Sequence, residues 1–284
     1  MSVLYKNHVI DRNYSGLSKK ALLTLWADRI GKPFRPRYLL SDSVKVIKGE
    51  KIGYLTGVCY MSNAVKIAGV ATCSHAVKAG CVEPCLAMSG HMSLAGAVEA
   101  RADRLSLLIK DTALFFEILS RELKALEKAA KRKRFKVAGR LNGTTDLDWT
   151  RITFNGATIF EHFPRITWYD YTKNPKIAQA YSDRGVSVTF SYYKKAATAD
   201  LLHLLDRGVN IAIAYRDTLP ITQSIGGRSV EVINGDLHDL RFLDKKGAIV
   251  GLKYKNQTMH KKAAEVNATA HESGFIIFSN SVIN

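Results

Sequence analysis

The sequence predicts an α/β protein with a parallel sheet of βα repeats, arranged as a partial or closed TIM-like barrel. One observation is a series of short apolar runs after Phe135, each ended by turn-forming residues. Another is the tripeptide Asp-Arg-Gly, which follows two helical segments at residues 183–185 and 206–208 and places glycine where helices commonly end. The predicted strands are 136–141, 165–169, 186–191, 209–214 and 248–252, and the predicted helices between them are 175–182 and 199–205.

Two longer helices are predicted ahead of these repeats. The first runs from about residue 93 to 109, where apolar residues recur near the helical period. The second begins after a cap at Asp111 and runs to about residue 134. Its last part, residues 128–136, holds six cations and no acid, which suits a helix C-terminus and also suits contact with phosphates. The candidate nucleic-acid contacts there are Lys131, Arg132, Lys133 and Arg134.

Residues 1–60 are predicted to form an irregular basic N-terminal arm, followed by an α/β domain with a cysteine-rich loop over residues 61–284. The segment 28–38 interleaves cations with aromatic residues and prolines, so it does not fit one regular element. Arg35 and Arg37 are candidate nucleic-acid contacts, because such a segment can lie along a phosphate backbone with its rings against bases. The same composition also suits a strap that covers the core.

Composition indicates a soluble globular protein with a polyanionic partner. Hydrophobic residues make up 46% of the chain and the formal net charge is +17. DNA or RNA is the commonest partner for such an excess of cations. The sequence shows no apolar run of about 20 residues and no signal-peptide core near its start, so we expect a cytoplasmic protein without membrane association. Its oligomeric state is not indicated.

Three cysteines form the most specific chemical pattern in the chain. Cys73, Cys81 and Cys85 are spaced as C-x7-C-x3-C. Because cytoplasmic thiols stay reduced, clustered cysteines favour metal binding over disulfides. Three thiolates would hold zinc or a [4Fe–4S] cluster and leave one coordination position open, as a catalytic site requires. The alternatives for a fourth ligand are Cys59, His75 and His91.

Polar side chains gather after the predicted strands, where the active sites of βα proteins form. Carboxylates at such positions suit acid–base or nucleophilic chemistry, and cations and amides suit substrate binding. Aspartates at strand ends also cap the helices that follow, so this alternative stays open. The candidate catalytic residues are Asp146, Asp236 and Asp239, and the candidate substrate-binding residues are Arg140, Asn142, Asp170 and Lys253.

Several of these segments resemble the gene product 88-like proteins of phages and plasmids. The resemblance spans about residues 60 to 255 and implies a phage origin, and therefore the cytoplasm of the host cell, without assigning an activity. The segments that carry it are residues 72–90, 101–104, 115–116, 140–146, 235–244 and 250–253.

A looser similarity is to radical S-adenosylmethionine enzymes, which carry three cysteines ahead of a partial or full βα barrel. The similarity implies a [4Fe–4S] cluster on Cys73, Cys81 and Cys85, with S-adenosylmethionine as a further cofactor. The usual spacing in those enzymes is C-x3-C-x2-C, and this chain departs from it.

Three functions are compatible with these patterns. The leading hypothesis is a metal- or iron–sulfur-dependent enzyme that acts on nucleic acid or on a nucleotide. The second is an enzyme similar to DNA base transglycosylases, with a carboxylate nucleophile such as Asp146 or Asp236 and structural zinc on the cysteines. The third is a non-enzymatic nucleic-acid-binding protein with a zinc-stapled loop.

Overall fold

The structure is a computed structural model of the chain with two compact units. It describes residues 4–8, 14–35, 37–41, 44–63, 70–82, 84–85, 90–254 and 263–284. Unit one comprises Met1–Thr72 and Ala95–Trp168, and unit two comprises Cys73–Leu94 and Tyr169–Asn284. The predicted boundary near residue 60 differs from this division, because the early residues pack with the long central helices and the cysteine segment packs with the C-terminal half.

Helices and short strands alternate along most of the chain. The helices are α1 (Lys19–Ile30), α2 (Val44–Ile47), α3 (Ala95–Lys110), α4 (Thr112–Lys133), α5 (Ile159–His162), α6 (Pro175–Asp183), α7 (Thr198–Asp206) and α8 (Ala263–Glu272). The strands are β1 (Asn7–His8), β2 (Leu40–Ser41), β3 (Tyr54–Cys59), β4 (Lys136–Arg140), β5 (Thr153–Phe154), β6 (Ala157–Thr158), β7 (Thr167–Thr172), β8 (Ser187–Ser191), β9 (Asn210–Tyr215), β10 (Thr222–Ile225), β11 (Arg228–Asn234), β12 (Ile249–Lys253) and β13 (Ile276–Ile277).

Unit one is built around α4. Asp111 caps this helix by accepting a hydrogen bond from the Leu114 N–H, and Arg134 ends it in a left-handed conformation. The aromatic residues Phe115 and Phe116 on its buried face contact Trp149, which is itself fully buried. Strands β3 and β4 pair in parallel beside α4, and β2 pairs with β3 in antiparallel orientation. A separate small sheet joins β1, β5 and β6.

The early residues fold onto unit one instead of forming an irregular arm. Ser18 caps α1, and Leu22, Leu23 and Trp26 on that helix are buried. On α4, the Arg121 guanidinium donates to backbone carbonyls at residues 14, 15 and 17, and the Glu122 carboxylate accepts from the backbone N–H groups of residues 39 and 40. These hydrogen bonds attach the backbone around residues 14–17 and 39–40 to α4, which the composition of the segment does not predict.

Unit two contains the βα repeats that the sequence predicts. Its strand order is β10-β11-β12-β9-β8-β7, with β7, β8, β9, β12 and β11 parallel and β10 antiparallel to β11. Helices α6 and α7 each lead into a glycine with positive φ, 71° at Gly185 and 75° at Gly208, as the Asp-Arg-Gly tripeptides predict.

The barrel prediction is not confirmed. Among the described strands, β10 lies at the edge of the sheet and pairs only with β11, so the sheet is open and does not close into a TIM-like barrel. The sequence-level repeats are local and specify βα units, whereas closure depends on how distant strands pair.

Candidate functional site

The carboxyl ends of β7 and β8 in unit two bring a cation and aromatic rings together. Lys173 follows β7, and its ammonium group donates to the carbonyl oxygens of Ser191 at 3.4 Å and Tyr192 at 3.2 Å. The same Nζ lies 5.9 Å from the ring centroid of Tyr193 and 5.2 Å from that of Phe275. This is the edge of a parallel sheet at which ligands commonly bind.

The cysteine segment of unit two packs against this edge. The His75 ring lies 6.4 Å from the Tyr193 ring, and the Lys78 Nζ lies 5.8 Å from the centroid of the same ring. On the other side, the Ser273 hydroxyl donates to the Gly80 carbonyl at 3.3 Å. Burial, together with the charges of Lys78 and Lys173, lowers the pKa of His75, so the imidazole is neutral at pH 7.

The predicted metal ligands Cys73, Cys81 and Cys85 all lie on this segment of unit two. Cys73, Cys81 and Cys85 are all half-buried, and the Cys81 thiol donates to the Ala76 carbonyl at 3.7 Å. No group of three His, Cys, Asp or Glu residues is arranged to hold a metal ion among the described residues.

The structure places the three alternatives for a fourth ligand differently. Cys59 is buried at the end of β3 in unit one. His75 belongs to the cysteine segment and contacts Tyr193, and the His91 side chain falls outside the described residues. The metal and iron–sulfur hypotheses therefore remain predictions, and we assign no chemical step to such a group.

In unit one, Asn142 organises the loop after β4. Its side-chain oxygen accepts hydrogen bonds from the Thr145 hydroxyl at 2.8 Å, the Leu147 N–H at 2.9 Å and the Trp149 indole at 3.1 Å. Its amide group donates to the Leu147 carbonyl at 2.9 Å. Because Asn142 is only 1% exposed, these contacts indicate a role in loop structure rather than the predicted direct contact with substrate.

The same loop is fastened to the chain that follows β3. The Asp146 N–H donates to the Thr72 carbonyl at 2.6 Å, and the Gly143 N–H donates to the Cys59 carbonyl at 2.9 Å. A Cβ atom at Gly143 would lie 2.5 Å from a ring carbon of Tyr60, so only glycine fits this approach. The loop thus holds Asp146 half-buried next to β4, which ends at Arg140.

The predicted residues of unit two lie at different depths. Asp170 in β7 is 2% exposed and accepts from the Tyr171 N–H at 2.9 Å. Asp236 is half-buried and accepts from the backbone N–H of Lys253 at 2.9 Å, so it links the ends of β11 and β12. The Lys253 side chain is exposed.

Asp239 belongs to a buried polar cluster that the sequence pattern only partly indicates. It accepts from the Tyr169 hydroxyl at 3.1 Å. Arg241, which sequence reasoning missed, is 2% exposed and lies 3.1 Å from the Asp244 carboxylate and 3.3 Å from the His238 Nδ1. Burial raises the pKa of Asp244, and the Arg241 charge opposes this effect. The signal that could have revealed Arg241 is its place between two aspartates in a short apolar segment.

The basic residues at the end of α4 are exposed. Lys133 forms an ion pair with Glu50 at 2.9 Å. Arg134 adopts the left-handed conformation that ends the helix, with φ of 58°. Lys131 and Arg132 lie in the last turn, where cations also offset the helix dipole. The four predicted contacts are therefore exposed at the end of α4.

Arg35 and Arg37, in contrast, contact acidic residues of α3. Arg37 is 7% exposed and lies 3.4 Å from Asp103, and Arg35 lies 2.8 Å from Glu99. Lys32 contacts both of these acids. These ion pairs favour the alternative in which the segment is a strap over the core of unit one.

A family model described as Gene product 88 matches residues 39–277. The chain is a member of the gene product 88 family. Membership confirms the resemblance predicted from the sequence and supports a phage origin, and it gives no support to the radical S-adenosylmethionine analogy. No curated protein and no solved structure matches the chain.

The gene product 88 match covers most of the candidate residues. It includes the basic end of α4, the loop after β4, the cysteine segment and the strand ends of unit two, whereas Arg35 and Arg37 precede it. Within the described part of this gene product 88 protein, none of the helices is both long enough and apolar enough to span a bilayer.

Proposed function

We propose that this gene product 88 protein binds nucleic acid through the basic end of α4 and acts on it, or on a nucleotide, at the carboxyl edge of unit two. The observation that carries the proposal is the exposure of Lys131, Arg132, Lys133 and Arg134 at the end of a long helix. The net charge of +17 supports it.

Exposed cations at a helix end are well suited to phosphate. Each phosphate that they neutralise releases counterions, and this release makes the affinity depend strongly on salt. At about 100 mM salt, one such contact contributes roughly an eightfold gain in affinity.

The chemistry that would follow binding is proposed for the carboxylates of unit two. Asp239 and Asp236 lie on either side of His238, and a carboxylate beside an imidazole suits proton transfer. Asp146 in unit one remains the candidate nucleophile of the transglycosylase alternative. If neither reaction occurs, the basic end of α4 still supports the non-enzymatic binding alternative.

The test is binding of a fluorescent DNA duplex to the full chain, measured by anisotropy at about 100 mM salt. Lys131→Ala combined with Arg132→Ala should weaken binding roughly 60-fold, from two lost contacts of about eightfold each. The matched control, Lys20→Ala combined with Lys124→Ala, removes the same charge from exposed helical positions of unit one and should change affinity about twofold or less. Equal losses in the two double variants, or no binding by the unchanged chain at about 50 mM salt, would exclude the proposed surface.

A metal-dependent enzyme is the second candidate, and the position of the cysteine segment favours it. His75 and Lys78 on that segment contact Tyr193, just after β8, at the edge where catalytic groups of βα proteins gather. Metal analysis of freshly purified protein should then show stoichiometric zinc or iron, with absorbance near ~400 nm for a cluster. Cys81→Ser should lose the metal, whereas Cys59→Ala should keep it. Metal-free protein after anaerobic purification would contradict this candidate.

A further inference from the structure

The carboxyl edge of unit two opens where two parallel strands separate. β8 pairs with the first part of β9, at Asn210, Ile211 and Ala212. β12 pairs along one edge of β9 as far as Tyr215. On the other edge, beyond the part paired with β8, Ala214 and Tyr215 pair with β13. The chain around Ser273 and Phe275 therefore enters between the ends of β8 and β9, and such separations are where ligands bind in open α/β sheets.

Two ammonium groups lie near the same aromatic ring at this opening. Lys78 from the cysteine segment and Lys173 from the end of β7 both lie within 6 Å of the Tyr193 centroid, at 5.8 Å and 5.9 Å. Tyr193 is 1% exposed, so both cations lie beside a buried ring. Two like charges held near one ring raise the local positive potential, which favours an anion.

The cations are held by different means. Lys173 is half-buried and oriented by the two carbonyl oxygens at the end of β8. Lys78 is exposed, so its ammonium group is accessible from solvent. His75 beside them is neutral at pH 7. Its Nδ1 forms a hydrogen bond with the Ser74 hydroxyl at 3.1 Å, so Nε2 is the ring nitrogen offered to a ligand.

We propose that Lys78 and Lys173, with His75, bind a phosphoryl group at the carboxyl ends of β7 and β8. A phosphoryl group has up to two negative charges and several acceptor oxygens, and lysines bind it as point charges. The proposal deepens the proposed function and rests on it for the identity of the ligand. The shared chemistry is a phosphate, presented either by a free nucleotide or by the end of a nucleic-acid strand.

The direct test is calorimetric titration of the full chain with inorganic pyrophosphate. Lys78→Met and Lys173→Met should each weaken binding about tenfold, the effect of one charged hydrogen bond. Lys246→Met is the matched control, because Lys246 is an exposed lysine that precedes β12 and so lies at the opposite, amino edge of the same sheet. Lys173→Arg keeps the charge and should retain most of the affinity if folding is intact.

Two outcomes would overturn the site. One is the absence of pyrophosphate binding at about 1 mM, because a two-lysine site should have a dissociation constant below that concentration. The other is an equal affinity for pyrophosphate in the unchanged chain and in Lys78→Met, whose exposed position makes misfolding an inadequate explanation.

A second arm separates the two sources of phosphate. The affinity for a single-stranded oligonucleotide with a 5′-phosphate is compared with the affinity for the same oligonucleotide with a 5′-hydroxyl. A preference for the phosphate that disappears in Lys78→Met supports a strand end as the ligand. Equal affinity for the two oligonucleotides, with pyrophosphate binding still dependent on Lys78, supports a free nucleotide.

The two proposals can fail separately. Lys131→Ala combined with Arg132→Ala should leave pyrophosphate affinity unchanged, because these residues belong to unit one. Lysine-dependent pyrophosphate binding without any DNA binding would refute the surface on α4 and retain the phosphoryl site. DNA binding through α4 without pyrophosphate binding would retain the surface on α4 and refute the phosphoryl site.

Discussion

Replacement of Asn142 by alanine tests whether this residue organises the loop or contacts substrate. The side-chain oxygen of Asn142 accepts three hydrogen bonds, from a hydroxyl, a backbone N–H and an indole N–H. All of these donors belong to buried residues, namely Thr145, Leu147 and Trp149. Asn142→Ala removes their common acceptor and leaves them inside unit one.

The expected cost follows from the number of donors. A buried donor without an acceptor costs about 1–3 kcal/mol, so three donors give a loss of at least about 3 kcal/mol at the low end of that range. This is a large part of the roughly 5–15 kcal/mol by which ordinary domains are stable. Thr145→Val removes only one of the three hydrogen bonds and should cost about 1 kcal/mol.

The assay is urea unfolding followed by tryptophan fluorescence. The chain has three tryptophans, Trp26, Trp149 and Trp168, and all lie in unit one, so their emission reports that unit. We expect a large drop in the urea midpoint for Asn142→Ala and a small drop for Thr145→Val. An unchanged midpoint for Asn142→Ala would refute this expectation and would restore the substrate-binding interpretation.

Two further predictions concern unit one. Burial raises the pKa of Glu122, so its contribution to stability is present below the ordinary value of 4.5 and is lost as pH rises through the folded pKa. Glu122→Gln should remove this trend, and thermal melts from pH 4.5 to pH 7 that keep the same slope in both proteins would contradict it. Gly143→Ala should destabilise by about 1–3 kcal/mol, because its Cβ meets Tyr60 and the Cys59 carbonyl. Gly96→Ala, in open space within α3, should stabilise by up to about 1 kcal/mol, and equal urea midpoints for these two variants would refute the contrast.

Elements with local signals were predictable from the sequence. The cap at Asp111 and the run of cations near residue 134 define α4, and the structure begins and ends the helix there. The Asp-Arg-Gly tripeptides mark the ends of α6 and α7 because glycine reaches a positive φ without strain. The strands between them were found because buried parallel strands are short apolar runs.

Features set by distant partners were not predictable. Helix α1 is fixed by α4, whose Arg121 bonds to the carbonyls before it, and the sequence around residue 19 has no clear apolar period. The barrel expectation is not confirmed, because the described sheet ends at β10 and the pairing of distant strands cannot be read from local repeats. Asn142 is ambiguous from the sequence, because an amide after a strand gives the same sequence signal whether it organises the loop or contacts substrate.

The candidate phosphoryl site could not be predicted from the sequence either, because its residues come together only in the fold. Lys78 and Lys173 are 95 residues apart in numbering, and neither belongs to a recognisable motif. Only the fold of unit two brings both to the Tyr193 ring.

The salt dependence of DNA binding tests the central claim most directly. The logarithm of the binding constant is plotted against the logarithm of salt concentration for the unchanged chain and for Lys131→Ala combined with Arg132→Ala. If these two residues neutralise phosphates, the slope of the variant should be shallower by roughly 1.8, about 0.9 for each lost contact. Identical slopes would show that the end of α4 does not contact the phosphate backbone.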